Sequence, residues 1–113
     1  MTYKELNGFV ASIAQAIGCP YSYYQGESES VIKTPYLLFD YPDRDDVKAD
    51  DKNYAKMQNV SIEYDSKKRD IAIETKIESM LEESDIVYQK EETYISAQKV
   101  YEVMYTWEVP ING

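Results

Sequence analysis

Val100-Tyr101-Glu102-Val103-Met104-Tyr105-Thr106-Trp107-Glu108-Val109 is the stretch whose reading decides the fold. Tyr101, Val103, Tyr105, Trp107 and Val109 alternate with Glu102, Met104, Thr106 and Glu108. A side-chain period of two marks a strand with one buried and one wetter face. β-Branched and aromatic residues suit such a surface. Pro110 follows and is expected to end the strand, because proline donates nothing to a ladder. The run is read as a central or near-central strand on which the rest of the chain packs.

Working backwards, Ser96–Lys99 is expected to turn the chain into this strand from a less clean one over Ile86–Ile95, giving a long C-terminal hairpin. No Asn-Gly or Asp-Gly marks that turn. Before it, Asp70 is placed to cap a helix over Ile71–Glu83, with Ile73, Ile77, Met80 and Leu81 as its apolar stripe. Glu74 sits in the first turn of this helix, where the helix dipole favours an acid. Lys56–Asp65 alternates again, with Val60, Ile62 and Tyr64 on one face and Asn59, Ser61 and Glu63 on the other. Ser66–Arg69 is a basic turn.

At the other end, Thr2 and Glu5 have capping-box spacing. Leu6, Phe9, Val10, Ile13 and Ile17 fall on one helical stripe, and Gly18 stands where a left-handed cap belongs. A first helix over Tyr3–Ile17 follows. Tyr21–Tyr24 reads as a short strand and Gln25–Ser30 as a polar loop. Pro35 opens a strand over Tyr36–Tyr41, whose apolar run points to burial on both faces. Asp43–Asn53 carries Asp43, Asp45, Asp46, Asp50 and Asp51 around Arg44 and Lys48. It shows neither period and is expected to be an extended, mobile loop. The order predicts one α+β domain over residues 1–113: an antiparallel sheet with two helices packed on one face.

The formal net charge is −9, and there is no histidine. Nucleic-acid affinity comes largely from neutralising phosphates, so direct nucleic-acid binding is not expected. No apolar run approaches the ~20 residues of a membrane-spanning helix, so no membrane role is expected. Residues Met1–Asn7 lack the order of a secretory signal. The single cysteine, Cys19, fits a reducing compartment and reads as a small apolar residue at a helix end. Twelve tyrosines supply amphipathic surface, for half-buried strands or for protein contacts.

Nucleophilic catalysis usually needs histidine as activating base. Cys19 has no activator beside it in sequence. There is no glycine-rich phosphate loop and no Cys/His set for zinc. The aspartates of 43–51 invite a cation, but a calcium loop counted from Asp43 has Lys48 and Tyr54 where Gly and Glu belong. Any two of the 21 acids could meet in the fold, so a paired-carboxylate hydrolase stays open. No catalytic, cofactor-binding or metal-ligating residue is singled out, and no cofactor is expected.

Three segments carry a family resemblance: Pro35-Tyr36-Leu37-Leu38-Phe39-Asp40-Tyr41 leading to Ala49-Asp50-Asp51-Lys52-Asn53-Tyr54; Val60-Ser61-Ile62-Glu63-Tyr64-Asp65-Ser66-Lys67-Lys68-Arg69-Asp70, with Glu74 and Lys76-Ile77-Glu78 after it; and Tyr94-Ile95 with Val100–Val109. In these the chain resembles the tail-terminator (tail-completion, tail-to-head joining) proteins of long-tailed bacteriophages and prophages. The resemblance implies a structural virion protein without enzyme activity. Such a protein caps the tail tube, stops its polymerisation and offers the surface that joins tail to head. It implies a homo-oligomeric ring, commonly a hexamer, assembled in the bacterial cytoplasm, with the tail-tube protein and a head-tail connector protein as partners. An acidic ring would let DNA pass without holding its phosphates. On this reading Asp43, Asp45, Asp46, Asp50, Asp51 and Tyr54 form an assembly loop, and the Glu-bearing hairpin face contributes to ring or lumen surfaces. The alternatives are a head-side neck or head-completion adaptor, a small acidic regulatory protein binding a host partner, and a metal-dependent enzyme.

Overall fold

The computed structural model describes residues 1–24 and 33–112, with backbone only at 53 and 54. The loop expected over Gln25–Ser30 lies outside them. The elements are α1 (Tyr3–Ile17), β1 (Tyr21–Tyr23), β2 (Tyr36–Asp40), β3 (Val47–Ala49), β4 (Lys52–Ser66), α2 (Ile71–Glu83), β5 (Gln89–Ile95) and β6 (Val100–Ile111). The sheet runs β1-β2-β4-β6-β5, with β3 paired to β4 alone. All pairings are antiparallel except β1 with β2, so the sheet is mixed at one edge.

Both helices form where their caps dictate. The Thr2 hydroxyl accepts from the Glu5 N–H at 3.1 Å, and the Glu5 carboxylate accepts from the Thr2 N–H at 2.9 Å. Two otherwise orphaned donors are thereby satisfied. Gly18 closes α1 at φ 69°, the left-handed region that glycine enters without a Cβ clash. Asp70 accepts from the Ile73 N–H at 3.2 Å to start α2.

The helices cover one face of the sheet. Leu6, Val10, Ile13 and Ala14 of α1 and Ile77 and Leu81 of α2 pack on Leu37, Val60, Ile62, Tyr64, Val103, Tyr105, Trp107, Val109 and Ile111. The alternation in β6 therefore does what a half-buried strand requires: from Val103 to Ile111 each odd position is buried under the helices. Tyr101, at the hairpin end, stays exposed and stacks with Tyr94 at 4.6 Å between ring centroids.

Pro110 does not end β6. The strand continues to Ile111, with Pro110 opposite Met57. The Pro110 carbonyl accepts from the Met1 ammonium, and the Asn112 N–H donates to the Met1 carbonyl. N–H and C=O of one strand residue point to the same side, so the proline nitrogen faces Met1 and not β4. β5 accompanies β6 only as far as Thr106, so that side has no ladder to break. β5 itself begins at Gln89, three residues later than expected. Asp85, at φ 58°, closes α2, the Ile86 N–H returns to the Leu81 carbonyl, and Val87 stands 91% exposed.

The segment 43–53 is the larger correction. It is not an open loop. The Asp45 N–H donates to the Met57 carbonyl and the Asn59 N–H to the Asp43 carbonyl, each at 2.9 Å. β3 then pairs with the start of β4 through a two-residue turn at Asp50 and Asp51, both left-handed at φ 52° and 61°. That is the primed turn that hairpins favour, built on aspartates that tolerate the region. β6 stops opposite Lys56, so the β3–β4 ribbon projects past the sheet as an arm. At roughly 3.3 Å per residue β4 spans about 50 Å. The molecule's longest axis is 50 Å, and its radius of gyration is 15.1 Å. A compact domain of this length would have about 13 Å.

The arm turn gives a direct test. Asp50→Asn with Asp51→Gly, the residues a primed turn prefers, should stabilise the arm by about 1 kcal/mol. Amide exchange across Val47–Ala55 should then slow about fivefold. Unchanged or faster exchange would mean that no primed turn forms there.

Candidate functional site

The six assembly-loop residues do not form one site. The Asp43 carbonyl accepts from the Gln58 side chain at 2.8 Å. The Asp45 carboxylate accepts from the Asn59 side chain at 2.9 Å. Asp46 pairs with Arg44 and accepts from the Met57 N–H at 3.1 Å. Arg44 and that N–H hold its carboxyl below the usual carboxylate range. These three residues strap the chain to β4. Asp50 and Asp51 stand apart from them, exposed at the tip of the arm. Tyr54 belongs to β4, and its side chain lies outside the described residues. The aspartates of 43–51 make no three-carboxylate group.

The carboxylates that do converge are on the sheet face opposite the helices. Glu63 and Asp65 lie two apart on β4, which puts them on one face. Asp65 stands directly opposite Glu102 on β6 and opposite Tyr36 on β2. Tyr36, Asp65 and Glu102 therefore form one row across three strands. One oxygen each of Glu63, Asp65 and Glu102 lies within 4.8 Å of the others. Asp65 is 1% exposed; the Tyr36 hydroxyl and the Glu63 carboxyl stand close to it, yet neither of its oxygens makes a hydrogen bond of ordinary length and angle. Burial, and then Glu63 and Glu102, push its carboxyl up to about 9. Burial and Glu63 also raise Glu102, and burial with the Asp65 charge raises the Tyr36 hydroxyl. Like charges directly opposite across a strand pair destabilise a sheet, and a buried carboxylate without a partner costs more. Beside the row is a groove of about 180 Å³, lined by Leu38, Asp40, Ser61, Glu63 and Met104 among others.

A second charged group lies on the helix face and has the opposite character. Glu74, 2% exposed, meets Lys90 at 2.8 Å and Arg69 at 3.1 Å. Lys90 also reaches Glu78 at 3.0 Å, and Arg69 pairs with Glu92. The Tyr105 hydroxyl donates to Glu78 at 2.8 Å. Burial alone would raise the Glu74 carboxyl, but the bonds from Arg69 and Lys90 outweigh it and hold it low. This network stitches α2 to β5 and β6. Its charged groups are paired with one another. Sequence reasoning placed Glu74 at a helix start; its partner Lys90 was out of view because it belongs to another element.

The described residues show no histidine or thiol beside the carboxylate row. Burial raises the Cys19 thiol, which leaves it a poor nucleophile. No helix among them is long and apolar enough to cross a membrane. Compared with known proteins, the chain matches no family model and no curated sequence.

The two carboxylates predict opposite pH behaviour in protein stripped of divalent ions. The folded-state value of Asp65 is raised above the unfolded one. Its contribution to stability is therefore fullest below about pH 4 and is lost as pH rises towards 9. Asp65→Asn should stabilise the fold by about 2 kcal/mol at pH 7 and by little at pH 4. The folded-state value of Glu74 is lowered, so its contribution is present above about pH 4 and is lost below it. Glu74→Gln should cost about 1–3 kcal/mol at pH 7, with the gap closing in acid. Thermal melts across pH check both; parallel curves for wild type and either variant would refute that assignment.

Proposed function

We propose that the chain is a tail-terminator-like assembly protein, whose work is contact with copies of itself and with tail components. Two things support the reading: the resemblance in the segments given above, and the projecting acidic arm. The arm is the observation that carries it. A two-stranded ribbon standing alone is marginally stable in water. Here Val47, Lys48, Ala49, Asp50, Asp51 and Lys52 are all exposed, and among the described residues β3 pairs with β4 alone. A neighbouring subunit would supply the missing cover. Such head-to-tail contact uses two different faces of each subunit, which is how cyclic rings close.

Other exposed groups fit the same use. Tyr21, Tyr23 and Tyr24 sit at the β1 edge, and Tyr94 and Tyr101 at the far end of the β5–β6 hairpin. Tyrosine at such edges gives contact area with few rotors to freeze. The edge strand β5 carries Lys90, Glu91 and Glu92, charges of the kind that discourage indiscriminate strand pairing. On this reading the ring, probed first as a hexamer, terminates the tail-tube protein and receives the head-tail connector protein. Its net negative surface would let DNA pass unbound.

The purified chain should be mixed with its tail-tube subunit and followed by light scattering and electron microscopy. Rings seated at tube ends and tubes of bounded length are expected. A chain that stays monomeric while tubes keep growing would overturn the reading. In producing cells, loss of the protein should give overlong tails; tails of normal length on unjoined heads would assign it instead to the head side. Asp50→Asn with Asp51→Asn keeps residues that tolerate the left-handed turn while removing the tip charge. It should lower joined particles by about tenfold, the effect of about 1.4 kcal/mol of contact energy.

A further inference from the structure

We propose that Glu63, Asp65 and Glu102 form a binding site for one hard divalent cation on the sheet face opposite the helices. The proposal is independent of the assembly role above. An acidic group on a protein surface is ordinarily just solvated, and the deciding observation here is Asp65. Its carboxylate is buried, neither oxygen makes a hydrogen bond of ordinary length and angle although the Tyr36 hydroxyl adjoins it, and it is grouped with the carboxylates of Glu63 and Glu102. The backbone enforces this arrangement, because Asp65 and Glu102 are register partners in the β4–β6 ladder. The backbone cannot part these side chains without slipping, and a one-residue slip would turn the core face of β6 outward; what relieves the repulsion is a proton on Asp65 or a cation.

A cation resolves both costs at once. It gives the Asp65 oxygens a charged partner, and it turns three mutually repelling carboxylates into ligands. The donor set is all oxygen, with neither imidazole nor thiolate, which favours a hard ion over zinc. The three oxygens lie within 4.8 Å of one another, close enough for one ion to touch all of them. Glu63 and Glu102 are half-buried, so solvent reaches the group through them and water can complete the ion's shell. With Asp65 on β4 and Glu102 on β6, the ion would bridge the two central strands of the sheet.

The test uses the whole chain, freed of metal by chelation and titrated with Ca²⁺, Mg²⁺ and Mn²⁺ by calorimetry. Thermal melts and terbium luminescence excited through tyrosine accompany it, since Tyr36 adjoins the site. One divalent ion per chain is expected, bound at millimolar concentration or below with a rise in melting temperature. Asp65→Asn and, separately, the less buried Glu102→Gln should each weaken binding by about tenfold or more. Asp50→Asn with Asp51→Asn should leave it unchanged. No saturable binding of any of the three ions at millimolar concentration would overturn the proposal. So would full binding in both Asp65→Asn and Glu102→Gln, or its loss in the arm-tip variant.

Discussion

The β4–β6 ladder is the constraint on which everything else depends. It runs from Lys56 opposite Ile111 to Ser66 opposite Tyr101 without a break. This one register places Val60, Ile62 and Tyr64 beside Val103, Tyr105 and Trp107 under the helices. The same register forces Asp65 against Glu102 on the other side. A favourable core and an unfavourable carboxylate pair are thus two consequences of one alignment. The core wins because it gathers many buried apolar side chains, each worth about 1.5–3 kcal/mol, against one frustrated row.

The ladder also explains the arm. β4 is longer than its partner, and what extends beyond Lys56 has only β3 to pair with. The strap of Asp43, Asp45 and Asp46 along Met57–Asn59 anchors the base of the arm to the sheet. Among the described residues, the tip is held by its turn and by the β3–β4 pairing. Stability therefore falls along the molecule, from the helix-covered core to the ribbon end. On the assembly role proposed above, the end that would meet a partner is the end that can adjust.

Much of the fold was legible in the chain. α1 and α2 have the bounds that Thr2, Gly18 and Asp70 announce, because capping is local chemistry. β6 and β4 were legible because each buries one face, which imposes period two. Pro110 misled because its effect depends on which side its nitrogen faces, and that is set by the register with β4, far away in sequence. Asp43–Asn53 misled because its turn uses Asp-Asp where Asn-Gly is the recognisable signal, and because the hydrogen bonds that order it come from Met57 and Asn59. The candidate site was hidden for a related reason. Glu63 could be placed on the outer face, but meeting Glu102 requires the register between strands separated by α2 and β5. The conspicuous aspartate run drew attention to itself, while the acids that converge are spread along two ordinary strands.

The central claim is the register that sets Asp65 against Glu102, and cross-strand nuclear Overhauser effects between α-protons of β4 and β6 test it most directly. The account predicts close α-proton pairs along the ladder at every second facing position, among them Asp65 with Glu102 and Glu63 with Met104. Contacts displaced by one residue, pairing Asp65 with Tyr101 or Val103, would contradict it. The core, the arm and the carboxylate row would then all have to be reassigned.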